Sequence, residues 1–98
     1  MSDSNSTRSP FRPTLLRRHA ALAVEIYRQD APATLEQLTA IARIRVRLAA
    51  RGNRHELGAW RRDAGVDVIT CSTCGARARL ELSTGLEDVR ELLARRCS

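Results

Sequence analysis

The sequence predicts an α+β fold: an N-terminal αα-hairpin, then a small three-stranded antiparallel module built round a cysteine knuckle and closed by a C-terminal helix. Three observations carry this expectation. Apolar residues recur at helical spacing from 14 to 51, they alternate strictly from 76 to 82, and Cys71-Ser72-Thr73-Cys74-Gly75 sits between two strand-like runs. The 98 residues divide accordingly into a disordered tail at 1–13, a helical hairpin at 14–51 and a ββ-knuckle-β-α module at 52–98 that forms one compact unit with the hairpin.

Residues 1–13 are Ser-rich, are broken by Pro10 and Pro13, and show no apolar periodicity. Their Arg and Ser content hints at a transit peptide, but Asp3 and the short run argue against one. Thr14 to Gln29 reads as the first helix, with Leu15, His19, Leu22 and Ile26 on one stripe. Thr14 is a suitable N-cap, and Pro32 disfavours helical geometry before it. The second helix runs from Thr34 to Arg51, opened by a Thr34-x-x-Gln37 capping box and stopped by Gly52. Its broad apolar arc includes Leu38, Ile41, Ile44, Val46 and Leu48, which is more than the first helix alone can cover. The remainder suits the knuckle module or a second copy of the chain.

From Gly52 onward the texture changes to short strands. Leu57 to Arg62 holds Trp60, Asp63-Ala64-Gly65 reads as a turn, and Val66 to Cys71 is a strand with Val66, Val68 and Thr70 on one side. After the knuckle, Ala76, Ala78, Leu80 and Leu82 point inward, while Arg77, Arg79 and Glu81 point outward. Thr84-Gly85-Leu86-Glu87 reads as a second capping box, opening a helix that runs through Cys97. On that helix Leu86, Val89, Leu93 and Cys97 would share one face.

Composition bounds what such a chain can do. Hydrophobic residues make up 43% and charged residues 29%, a globular balance. Only Phe11, Tyr27 and Trp60 are aromatic, so the core must be built from smaller side chains, and a core of that kind benefits from a staple. No run approaches the roughly 20 apolar residues of a membrane span, and no secretory leader is recognisable, so a cytoplasmic setting is expected.

The knuckle supplies the staple. Two thiolates in C-x-x-C can hold one tetrahedral zinc at about 2.3 Å, and a glycine after the second suits the tight turn. The other two ligands must come from His19, His55 and Cys97. His19 lies on the apolar stripe and reads as a half-buried residue of the helix seam. His55 precedes the first strand, and Cys97 shares the core face of the last helix. The favoured set is therefore His55, Cys71, Cys74 and Cys97, a closed Cys₃His structural zinc site. A Cys71–Cys74 redox pair or disulfide is the alternative; it would suit a strand feeding a helix N-terminus better than strand-like sequence on both sides.

The run His55…Gly58-x-Trp60…Cys71-x-x-Cys74-Gly75-Ala76…Gly85…Leu93…Cys97 resembles small zinc-ribbon or knuckle modules encoded in bacterial and phage genomes. The resemblance covers residues 52–98, with the C-x-x-C-G as its specific part. It implies a bound metal and no particular reaction.

Catalysis is not expected. Zinc nucleobase deaminases carry H-x-E and P-C-x-x-C, whereas here Glu56 directly follows His55 and Thr70 precedes Cys71. Four protein ligands would also leave no position for water. Two binding roles remain. Net charge is +6, and all 17 basic residues are arginine. Residues 14–51 hold seven arginines against three acids, whereas residues 52–98 hold eight against seven. Arg43, Arg47 and Arg51 stand at i, i+4 and i+8 on the second helix, a basic stripe suited to a nucleic-acid phosphate backbone or an acidic protein partner. Alternatively the apolar face of that helix serves a protein partner, making the chain an adaptor or homodimer. The sequence leans to nucleic acid.

Overall fold

The computed structural model describes residues 14–97; the tail at 1–13 lies outside the described residues. Helices α1 (Leu15–Arg28) and α2 (Leu35–Gly52) are followed by strands β1 (Arg61–Asp63), β2 (Val66–Thr70), β3 (Arg77–Glu81) and β4 (Leu86–Asp88), then helix α3 (Arg90–Ala94). The strands form one antiparallel meander in the order β1-β2-β3-β4. The fold is α+β with the expected order of elements, but the sheet has four strands rather than three.

The helical hairpin forms where its capping signals lie. Thr14 Oγ1 accepts from the Arg17 N–H at 3.1 Å. At α2 both halves of the capping box are made: Gln37 N–H to Thr34 Oγ1 at 3.1 Å, and Thr34 N–H to Gln37 Oε1 at 3.0 Å. Gln29 and Gln37 exchange amide hydrogen bonds of 2.9 and 2.7 Å across the turn, which ties the two helices together.

The end of α2 corrects one expectation and bears on the site. Gly52 is the last helical residue, and the left-handed position is Arg54, at φ 60°. The His55 N–H donates to the Ala50 carbonyl at 2.9 Å and the Arg54 N–H to that of Arg51 at 3.2 Å. This is the paired bonding of a Schellman cap, and His55 is the residue it delivers. An L-residue in the left-handed region costs roughly 1–2 kcal/mol, partly offset by the lower chain entropy it brings to the unfolded state. Arg54→Gly should therefore stabilise the fold by about 0.5–1 kcal/mol, read as a higher urea midpoint at fixed metal concentration. A lower midpoint would count against this cap.

The inner face of the sheet lies under α2. Val46 and Ala50 pack with Ile69, Cys71, Ala76, Ala78 and Leu92 in one buried cluster, to which Leu57, Trp60 and Val89 add partial cover. β3 follows its alternation, with Ala78 and Leu80 buried and Arg77, Arg79 and Glu81 exposed. On β2 the buried residues are Asp67 and Ile69, so Val66, Val68 and Thr70 form the outer side. Asp67 is only 4% exposed and would be costly alone. It accepts from Arg62 at 2.9 Å and from Arg43 at 2.7 Å. The Arg62 contact foremost, and then that of Arg43, hold its carboxyl below the usual range against the opposing effect of burial.

The C-terminal third departs most from expectation. Thr84-Gly85-Leu86-Glu87 is not a helix start. Residues 82–85 form a hairpin turn, and Leu86–Asp88 pairs with Arg79–Glu81. Gly85 has φ 73°, and a Cβ there would stand 2.9 Å from Leu38 Cβ, so both the turn and α2 require glycine. Arg45 donates to Glu87 from Nε and from Nη2, the latter at 2.8 Å, which pins β4 beneath α2. Pairing with β3 and this ion pair outweigh a local capping signal. The final helix shrinks to five residues, and on it Leu92 is buried while Leu93 is 58% exposed. The first strand is also shorter than expected; ahead of it, the Gly58 N–H donates to the Thr70 carbonyl of β2 at 3.1 Å, and Leu57 forms an isolated bridge with Cys71 just past the end of that strand.

Candidate metal centre

His55, Cys71, Cys74 and Cys97 come together, with their four candidate ligand atoms all within 4.8 Å of one another. Three separate pieces of chain make this cluster. The Schellman cap delivers His55 at the end of α2. Cys71 and Cys74 lie on the knuckle after β2, closed by Gly75 N–H to Cys71 O at 3.0 Å and Cys71 N–H to Ala76 O at 2.7 Å, with Gly75 at φ 82°. The Ser72 N–H and hydroxyl both donate to the Glu56 carbonyl, at 2.9 and 3.1 Å, joining the knuckle to the residue after His55.

Cys97 arrives by a route the sequence did not suggest. The helix ends at Ala94, Arg95 is extended, and the Cys97 N–H donates to Asn53 O at 2.9 Å. Asn53 in turn donates from Nδ2 to the Leu92 carbonyl at 2.9 Å. A residue at the cap of α2 thus clamps the end of α3 and the segment after it. The expected face of Leu86, Val89, Leu93 and Cys97 does not exist, because β4 and the short α3 break its period.

Two of the six donor separations are close to those round a small tetrahedral ion. Cys71 Sγ lies 3.6 Å from Cys97 Sγ, and Cys74 Sγ lies 3.4 Å from His55 Nδ1. Metal–sulfur bonds of about 2.3 Å and metal–nitrogen bonds of about 2.0 Å give tetrahedral edges of roughly 3.5–3.8 Å. His55 is 7% exposed, and its Nε2 lies 3.0 Å from both the Leu92 and Arg95 carbonyls. Carbonyls only accept, so the proton sits on Nε2 and the Nδ1 lone pair is turned to the sulfurs, the tautomer a metal needs.

Electrostatics divide the sulfurs. Backbone N–H groups, that of Cys74 foremost and then those of Thr73 and Glu56, lower the Cys71 thiol to about 5 against the effect of burial, with help from His55. Burial, and then hydrogen bonding and negative charge from Cys71 and Cys74, push Cys97 up to about 11. Burial opposes charge on His55, but its contacts with Cys71, Cys74 and the two carbonyls raise its pKa overall. Ionising Cys97 as well as Cys71 therefore calls for positive charge beside their sulfurs, so metal uptake would release protons.

His19 is not part of this donor set and lies half-buried on α1. The arginine stripe is divided. Arg43 is engaged with Asp67, and its guanidinium lies 5.9 Å from the centre of the Trp60 ring. Arg47 borders a groove between α1 and α2, and Arg51 is exposed at the end of α2; neither forms an ion pair with an acid among the described residues. Sequence reasoning missed the Arg43–Asp67–Arg62 and Arg45–Glu87 pairings, which depend on register and have no local signature.

No protein-family model matches this chain, and no curated protein or solved structure shows significant similarity to it. Among the described residues, no helix is long and apolar enough to cross a membrane.

Proposed function

We propose that this chain is a small, non-catalytic zinc-stapled docking module, in which a structural zinc on His55, Cys71, Cys74 and Cys97 holds the sheet against α2 and the hairpin meets a protein partner. The observation that carries the metal reading is the fork from His55 Nε2 to two carbonyls, which leaves Nδ1 directed at the cysteines. Three thiolates and an imidazole are a donor set suited to zinc, and with four protein ligands the site is closed to a reacting water. The resemblance of residues 52–98 to small zinc-ribbon modules, carried by the C-x-x-C-G run, would imply the same metal.

The hairpin reading rests on where the basic residues fall. Arg43 serves the fold, and Arg47 stands beside apolar side chains rather than on an isolated charged face. Arg47 and Arg51 still favour a second reading, contact with a nucleic-acid backbone. Two measurements separate these. Native mass spectrometry of reduced protein should find one zinc per chain, and titration with mixed-sequence DNA and RNA should show no arginine-dependent binding. Absence of metal would overturn the staple. Binding that falls with salt at a log–log slope of about −2, and that Arg47→Gln with Arg51→Gln abolishes, would establish the nucleic-acid reading instead.

A further inference from the structure

We infer that the groove between α1 and α2 is the docking site for an acidic amphipathic helix of a partner protein, an assignment that rests on the docking function proposed above. The groove measures about 550 Å³; Leu15, Ala21, Leu22, Ala40 and Ile44 form its apolar lining, with Trp60 beside them. Arg18, Arg43 and Arg47 also line it, and no carboxylate lines it among the described residues. No residue of α1 is fully buried, so the hairpin leaves apolar surface for a third element to cover. Small alanine side chains on both helices allow close seating, since packed helix axes approach to about 8–10 Å where the contact residues permit.

Charge selects the occupant. Arg43 is turned to Asp67, which leaves Arg18 and Arg47 as the cations of the groove, and neither has an ion-pair partner among the described residues. A second copy would bring a hairpin with seven arginines against three acids to the same place, like charge to like charge. A phosphate backbone would satisfy the arginines and leave the apolar lining exposed. A helix with leucines at i, i+3, i+4 and i+7 and glutamates beside them covers the lining and meets both arginines.

The test uses the full chain loaded with zinc and a synthetic helical peptide of that pattern, alongside its lysine-for-glutamate counterpart. Trp60 is the only tryptophan, so its emission reports directly on the groove. The acidic peptide should produce a saturable change in emission. Arg18→Glu with Arg47→Glu should weaken it about tenfold and reverse the preference between the two peptides, with circular dichroism unchanged. No saturable response from the folded wild type, or an equal response to both peptides, overturns the assignment. A stable dimer in sedimentation gives the groove to a second copy and overturns it as well. Duplex DNA is titrated in the same series. DNA binding that the double variant loses would overturn the docking function itself, whereas peptide failure without DNA binding removes only the acidic-helix assignment.

Discussion

Cys71→Ser is expected to abolish tight zinc binding and to unfold the sheet and α2 in one transition. Cys71 is 2% exposed and belongs to the buried cluster as well as to the donor set. A structural zinc contributes an apparent 10–16 kcal/mol or so in small finger domains, more than a core of this size supplies alone. Val46 and Ala50 share the cluster with Ile69, Ala78 and Leu92, so loss of the sheet removes the floor under α2. Helical and strand signals in far-ultraviolet circular dichroism should therefore fall together, in the variant and in wild type treated with excess chelator. A full native spectrum in chelator, with no metal detected by mass spectrometry, would refute the staple. Loss of strand signal with α2 intact would show instead that the hairpin stands alone.

The second large effect separates two adjacent leucines. Leu92 is 0% exposed, Leu93 58%. Leu92→Ala should cost about 2–5 kcal/mol, the usual range for a leucine cavity, and Leu93→Ala should stay within about 0.5 kcal/mol, as exposed substitutions do. Leu92→Ala should also weaken zinc binding, because the Leu92 carbonyl accepts from both His55 and Asn53 and its side chain seats α3 on the sheet. Urea unfolding and competition with a zinc indicator would read the two effects. Equal losses for the two variants would show that α3 is turned differently.

These leucines illustrate what could be read in advance. Capping at Thr14 and Thr34 and alternation along β3 are local rules, carried by residues within a few positions of each other, and the sequence displays them openly. The knuckle is local too, since Cys71, Cys74 and Gly75 are nearly consecutive. His55 and Cys97 are legible as candidate donors, but a shared helical face does not bring Cys97 in; its approach is set by the Asn53 carbonyl. What stayed hidden were choices between two local signals. Thr84 and Glu87 spell a capping box, but Gly85 and pairing with β3 prevail. The Arg43 side chain has an open helical face in the sequence and a buried aspartate 24 positions away in the fold.

The fork at His55 also sets an order of events during synthesis. Its two acceptors lie 37 and 40 positions further along the chain. A growing chain that has made residue 74 but not residue 95 holds both knuckle cysteines and the imidazole, yet has neither the full fork that fixes the ring's tautomer nor Cys97. Any metal captured by such a nascent chain is held on the knuckle pair with an unsteered histidine and is easily surrendered. Closure of the four-donor cluster waits for residues 92–97, so a metal held by all four donors would be taken up only once that segment has been made.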